Sequence, residues 1–187
     1  MEILINEIKK IAGVSEPEIE LLTNSLEEFT LKKGDHFLKI GQVSHHIAYI
    51  VSGLTMHYII HDGLEIPCDF LAENEWLAYL NSFTNKTPSD MAIKALEDTM
   101  LLRISADKLE MLLEVMPKLL ILKNHYTTLS FIKNTQHSAK LATLDAKERY
   151  YSFVRENPDL INRVPQYYIA AYLGIKPQSL SRIRKEG

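Results

Sequence analysis

Three side chains near the end of this 187-residue sequence could do selective chemistry: Gln178, Ser179 and Arg182. A Gln amide pairs bidentately with adenine and an Arg guanidinium with guanine, so the trio suits base edges in a DNA major groove. Around them stand Lys176, Arg184 and Lys185, with Arg163 upstream. Those cations suit phosphates, which hold a protein in register without reading sequence. The other chemistry-bearing residues are His36, His45, His46, His57 and His61. Imidazoles bind metals, but adjacent His45 and His46 point to opposite faces of a strand, and only His57 and His61 share one. Cys68 is the single cysteine, too few for an internal disulfide or a thiolate cluster. Neither a Gly-rich phosphate loop nor a nucleophile elbow occurs. No catalytic residue, metal or cofactor is expected.

The base-reading candidates lie on a basic end of an acidic chain. Residues 160–187 hold Arg163, Lys176, Arg182, Arg184 and Lys185 against Glu186, a net of +4, so a total of −3 leaves −7 for the rest. Such a division is expected where one end meets a polyanion and the body avoids it, although a solvated helix face has the same composition. The length fits one large domain or two small ones, and an apolar share of 46% is that of a globular chain. No stretch approaches the ~18 apolar residues of a membrane helix. A soluble, cytoplasmic protein without a membrane partner is expected.

Glycine marks the elements that position these residues. Gly34, Gly41, Gly53 and Gly63 punctuate the first half, and no further glycine appears until Gly174. The first part therefore reads as strands and turns, the second as helices. Two helices open the chain, one with Leu4, Ile5, Ile8 and Ala12 on a face and one entered through a capping box, Ser15 to Glu18. From Phe37 to Ile104 the period is two. Ile47, Tyr49 and Val51 alternate with polar or smaller residues, and Asp62-Gly63 supplies the two positive-φ positions of a tight hairpin. Strands Met91–Leu96 and Thr99–Ile104 are joined across Glu97-Asp98. Such short strands imply an antiparallel sandwich or barrel.

After Ser105, which can cap a short helix, the pattern stays helical. Pro117 to about Leu141 forms one long run, with Leu119, Leu122, Tyr126, Leu129 and Ile132 in a narrow stripe. That stripe suits a coiled-coil seam with a second copy, or packing on the chain's own barrel. A further capping box, Asp145 to Glu148, opens the next helix. Counting from Gln166, apolar Ile169, Leu173, Ile175, Leu180 and Ile183 fall where two steeply crossed helices bury a wedge. Ala170 supplies the small side chain at their approach, and Gly174 the left-handed turn. Pro177 begins the second helix, where its missing N–H costs nothing. The pattern is that of a helix-turn-helix; a plain helical hairpin shares the apolar spacing without requiring Ala170 and Gly174 together.

A small barrel, a long helix and a C-terminal helix-turn-helix, with the segments RVPQ, IAAYLGI and LSRIRK at Arg163–Lys185, make the chain similar to the Crp/Fnr family of bacterial transcription regulators. The resemblance implies an α+β fold. An N-terminal antiparallel jelly roll of the cyclic nucleotide-binding type would span 1–116, a long dimerisation helix 117–142 and a helix-turn-helix domain 143–187. It implies a homodimer on a near-palindromic duplex, with RNA polymerase as a further partner. Family members that bind cyclic AMP use a Gly-Glu-Leu turn and, some ten residues later, an Arg-Ser/Thr-Ala segment. Here Ala78-Tyr79-Leu80 and Asp90-Met91-Ala92 fall at those places, and Lys86 is the only cation between Glu73 and Ile93. A phosphate would meet Asp90 without an Arg fork. Cyclic AMP is thus not the expected ligand, and the barrel would take an unknown small-molecule effector around Trp76, Tyr79 and Asp90, or none. Two other readings remain: a cupin-like metal-dependent enzyme built on the barrel histidines, and an interaction module on the same fold without specific DNA binding.

Overall fold

A computed structural model gives the structure of residues 1–185. Glu186, counted above against the basic tail, and Gly187 lie outside the described residues. The chain opens with α1 (Glu2–Ala12), which buries Leu4, Ile8 and Ala12 on one stripe. Gly13 ends it at φ 60° and donates its N–H to the Lys9 carbonyl, closing the last turn. The expected capping box opens α2 (Glu16–Ser25), where the Ser15 N–H donates to the Glu18 carboxylate at 2.7 Å. That backbone bond is the chief cause holding the Glu18 carboxyl below its usual range.

Among the described residues eight strands follow, with the short helix α3 (Leu80–Asn85) between the sixth and seventh: β1 (Glu27–Leu31), β2 (His36–Leu38), β3 (His46–Ser52), β4 (Thr55–His61), β5 (Leu64–Leu71), β6 (Trp76–Leu77), β7 (Ala92–Ala95) and β8 (Thr99–Ser105). They form two four-stranded sheets, ordered β1-β8-β3-β6 and β2-β7-β4-β5. The pairs β1·β8, β3·β8, β3·β6 and β2·β7 are antiparallel. Asp62 and Gly63 turn between β4 and β5 at φ 51° and 75°, as their types predict. The strands flanking Glu97-Asp98 behave differently from a hairpin: β7 belongs to one sheet and β8 to the other. That corner is tight. A Cβ on Gly53, at φ +106°, would lie 2.7 Å from the Thr99 Cα and 2.8 Å from the Asp98 carbonyl.

β3 has no wet face. Ala48 and Ile50 line the interior between the sheets with Leu31, Leu38, Leu77, Ile93 and Leu101. Tyr49 on the other face joins Leu4, Ile8, Ile19 and Leu22 of the first two helices, with Ile47 and Val51 packed alongside. The same outer cluster takes in Leu112 and Met116 from α4 (Ala106–Val115) and its end. The expected cap is present there, Ser105 Oγ accepting from the Lys108 N–H at 3.3 Å.

The long helix, α5, spans Leu119–Thr143 and so begins two residues past Pro117. Its apolar stripe is divided. Leu119 and Leu122 are core residues of the outer cluster and Tyr126 packs against it, so this half of the proposed seam is covered by the chain itself. Leu129 and Ile132 remain exposed, together with Leu120, Ile121 and Phe131, the last at 70%. Contacts group Met1–His57 and Phe70–Leu129 into one compact unit, and Tyr58–Asp69 with the chain from Ser130 onward into a second.

Candidate nucleic-acid interface

Within the second unit, α6 (Ala146–Glu156), α7 (Gln166–Tyr172) and α8 (Pro177–Lys185) follow α5. The α6 capping box is reciprocal: Asp145 N–H donates to the Glu148 carboxylate at 2.9 Å and Glu148 N–H to the Asp145 carboxylate at 2.8 Å. Every apolar position expected of the helix-turn-helix is buried. Ile169 and Ala170 are fully enclosed, and Leu173, Ile175, Leu180 and Ile183 sit with Tyr150, Phe153, Leu160 and Val164 in the interior. Gly174 turns the chain at φ +61°, and the Ile175 N–H donates to the Ala170 carbonyl at 2.8 Å, satisfying the end of α7.

With Leu180 and Ile183 turned inward, α8 presents Gln178 and Arg182 to solvent, with Ser179 half-buried between. Lys176, Arg184 and Lys185 are exposed around them and Arg163 is half-buried. Among the described residues, the side chains of Gln178, Arg182, Lys176, Arg184 and Lys185 make no hydrogen bond or ion pair. The helix therefore presents one amide and one guanidinium to solvent, groups able to hydrogen-bond flat polar edges, with three further cations exposed on the same segment.

Two contacts in this unit had no signature in the sequence. The Tyr168 hydroxyl donates to the Glu65 carboxylate, 103 residues away on β5, and burial followed by this bond pushes the phenol well above its usual range. Arg149 of α6 donates to the carbonyls of Leu173 at 2.7 Å, Leu144 at 2.6 Å and Gly174 at 3.3 Å. Its guanidinium also borders a cavity of about 210 Å³ lined by Lys133, His137, Lys140, Glu156 and Tyr172 among others. There His137 stacks on Tyr172 at 4.0 Å, Lys140 pairs with Glu156, and Lys133 lies 2.7 Å from Asp69.

The barrel candidates are arranged differently. The Tyr79 hydroxyl donates to the Asp90 carboxylate at 2.5 Å, so the two positions noted in the sequence satisfy one another. Lys86 lies 3.9 Å from Glu110. Trp76 does not join them. Its ring packs in the outer cluster, 5.5 Å from the Tyr49 ring and 5.8 Å from Tyr126, whereas Tyr79 packs against the barrel interior. Tyr79 and Asp90 therefore form a pair, while Trp76 packs with the other cluster. Of the histidines, His57 is buried on β4 and His61 is exposed at its end. His46 is held below its usual range by burial and by nearby Arg103. Among the described residues, no helix is long and apolar enough to cross a membrane.

Comparison with known proteins accords with this architecture. Residues 28–115 match the cyclic nucleotide-binding domain family. Among solved structures, the chain is similar to CLP, a c-di-GMP responsive global regulator of Xanthomonas campestris, at 15% identity and TM-score 0.76, covering 92% of this chain and 91% of that one. It is similar to FixK2 of Bradyrhizobium japonicum at 17% identity and TM-score 0.74, with 86% and 83% covered. A crp/fnr-family transcriptional regulator of Eubacterium rectale matches at 18% identity and TM-score 0.72, with 93% and 83% covered. No curated protein sequence matches this one. The chain shares with these solved structures a mixed α+β fold, two antiparallel sheets followed by a C-terminal group of helices.

Proposed function

We propose that this protein is a Crp/Fnr-type transcription regulator that binds a near-palindromic duplex as a homodimer. The observation carrying the reading is the outer face of α8, where Gln178 and Arg182 stand exposed on a helix whose other face is buried, with Lys176, Arg184 and Lys185 around them. Gln178, Ser179 and Arg182 read base edges in the major groove, and the three cations with Arg163 hold phosphates. The second copy docks on the exposed side of α5, along Leu120, Ile121, Leu129, Phe131 and Ile132. These are large apolar groups on one helix, and a second helix removes them from water.

The barrel of this regulator does not hold cyclic AMP. A phosphate entering the cassette would face the Asp90 carboxylate, already bonded to Tyr79, with Lys86 turned to Glu110. An effector, if the regulator uses one, is of other chemistry. The structures it resembles include a global regulator and a crp/fnr-family transcriptional regulator, which favours regulation over enzymatic activity.

The test is selection of bound duplexes from a random pool, then titration of the winner at several salt concentrations with and without cyclic AMP. A two-fold motif with a steep salt slope, unaffected by cyclic AMP, is expected. Enrichment of no sequence would defeat the DNA reading, and tightening by cyclic AMP would defeat the account of the cassette.

A further inference from the structure

The end of one helix and the end of another leave carbonyls with no partner of their own, and both carry the negative partial charge of a helix C-terminus. Arg149 meets two such ends at once. One nitrogen reaches the Leu144 carbonyl just past α5, at 2.6 Å, and two others reach the Leu173 and Gly174 carbonyls at the turn after α7, at 2.7 and 3.3 Å. The side chain is half-buried and springs from the first turn of α6, where its own N–H donates to the Asp145 carbonyl at 2.9 Å. Its root is fixed by the capping box described above.

From these bonds we infer that Arg149 is a positioning residue that sets the direction of α8 against the C-terminal half of α5, and through it the spacing of half-sites the protein accepts. The inference rests on the proposed DNA reading. A guanidinium is a planar fork with five N–H groups, so holding three carbonyls from two directions fixes the angle between the elements that carry them. α7 is joined to α8 by a turn whose Ile175 N–H is tied back to Ala170, and Leu180 and Ile183 lock α8 into the same interior. What Arg149 fixes for the end of α7 it therefore fixes for α8. In a two-fold complex the distance between recognition helices dictates the distance between half-sites. Arg149 touches no base and no phosphate in this arrangement.

The experiment compares the full chain with its Arg149→Met and Arg149→Lys variants. Each is titrated with the duplex selected by the unaltered protein, and with duplexes in which one central base pair is added or removed. The unaltered chain is expected to prefer its own spacing strongly. Arg149→Met loses about tenfold or more of that preference, because charge-assisted bonds at both helix ends are gone, while base preference within each half-site stays. Arg149→Lys, whose ammonium cannot span both ends, falls between and keeps the helices folded. Full retention of spacing preference by both variants would overturn the inference. So would a parallel loss of base preference in Arg149→Lys, which would make the residue a general fold contact. If the unaltered chain selects no sequence at all, the DNA reading fails first and this inference with it.

Discussion

The cassette between β6 and β7 and the outer face of α8 treat their polar side chains in opposite ways. In the cassette, Tyr79 is bonded to Asp90 and Lys86 lies near Glu110. On α8, Gln178 and Arg182 are left to water. Polar groups that already satisfy each other must break a bond before they can take a ligand, so the net gain is small. Groups held in water exchange one partner for another and gain from fit. The contrast is what favours α8 over the cassette in the function proposed above.

The strands and the C-terminal helices also differ in how they use glycine, and that difference gives the largest expected effect. Gly53→Ala combines a positive φ with backbone 2.7–2.8 Å from the new methyl, so it should cost about 3 kcal/mol or more. Denaturant unfolding followed by fluorescence of Trp76, the only tryptophan, reports on the barrel. An unchanged midpoint would contradict the tight corner. Next comes Arg182→Ala, expected to cost ~1–3 kcal/mol on the selected duplex and far less on scrambled sequence, with melting unchanged. Equal losses on every sequence would make Arg182 a phosphate contact and blur the contrast.

Gly174→Ala tests the helix-turn-helix in the same way as Gly53→Ala tests the barrel. Here the new methyl meets nothing closer than a Leu141 methyl at 3.7 Å, leaving only the left-handed backbone, about 1–2 kcal/mol. A thermal melt that shows a loss as large as that of Gly53→Ala would mean the turn is more crowded than described. The smallest effect belongs to Tyr79→Phe. Removing its bond to exposed Asp90 should cost about 0.5–1.5 kcal/mol, toward the lower end because water replaces the partner. Calorimetric melting checks the size, and a loss of several kcal/mol would make the pair a keystone rather than a filled site.

The turn between α7 and α8 was legible because its requirements are local. Gly174 takes the left-handed backbone and Pro177 opens α8 within one short segment, and both capping boxes are as compact. The β4–β5 turn was legible for the same reason. What escaped depends on which surface covers a pattern, and periodicity carries no such information. The stripe on α5 is spaced alike for a second copy and for the chain's own core; the structure gives Leu119 and Leu122 to the core and leaves Leu129 and Ile132 outside. Trp76 and Tyr79 are three residues apart yet pack in different clusters, which their types do not reveal. Arg149 spends its side chain on backbone carbonyls, and any residue can supply a carbonyl, so no motif marks it.

β3 is a wall shared by two rooms. Ala48 and Ile50 furnish one and Tyr49 the other, on consecutive residues of one backbone. Side chains alternate across a strand, so a shift of that backbone to suit one cluster carries the neighbours into the other. Close-packed interiors have little slack in which to lose such a shift. Any reshaping of the barrel lining is therefore felt at once beneath the helices that stand on its far side. Evolution can alter either cluster only by negotiating with the other.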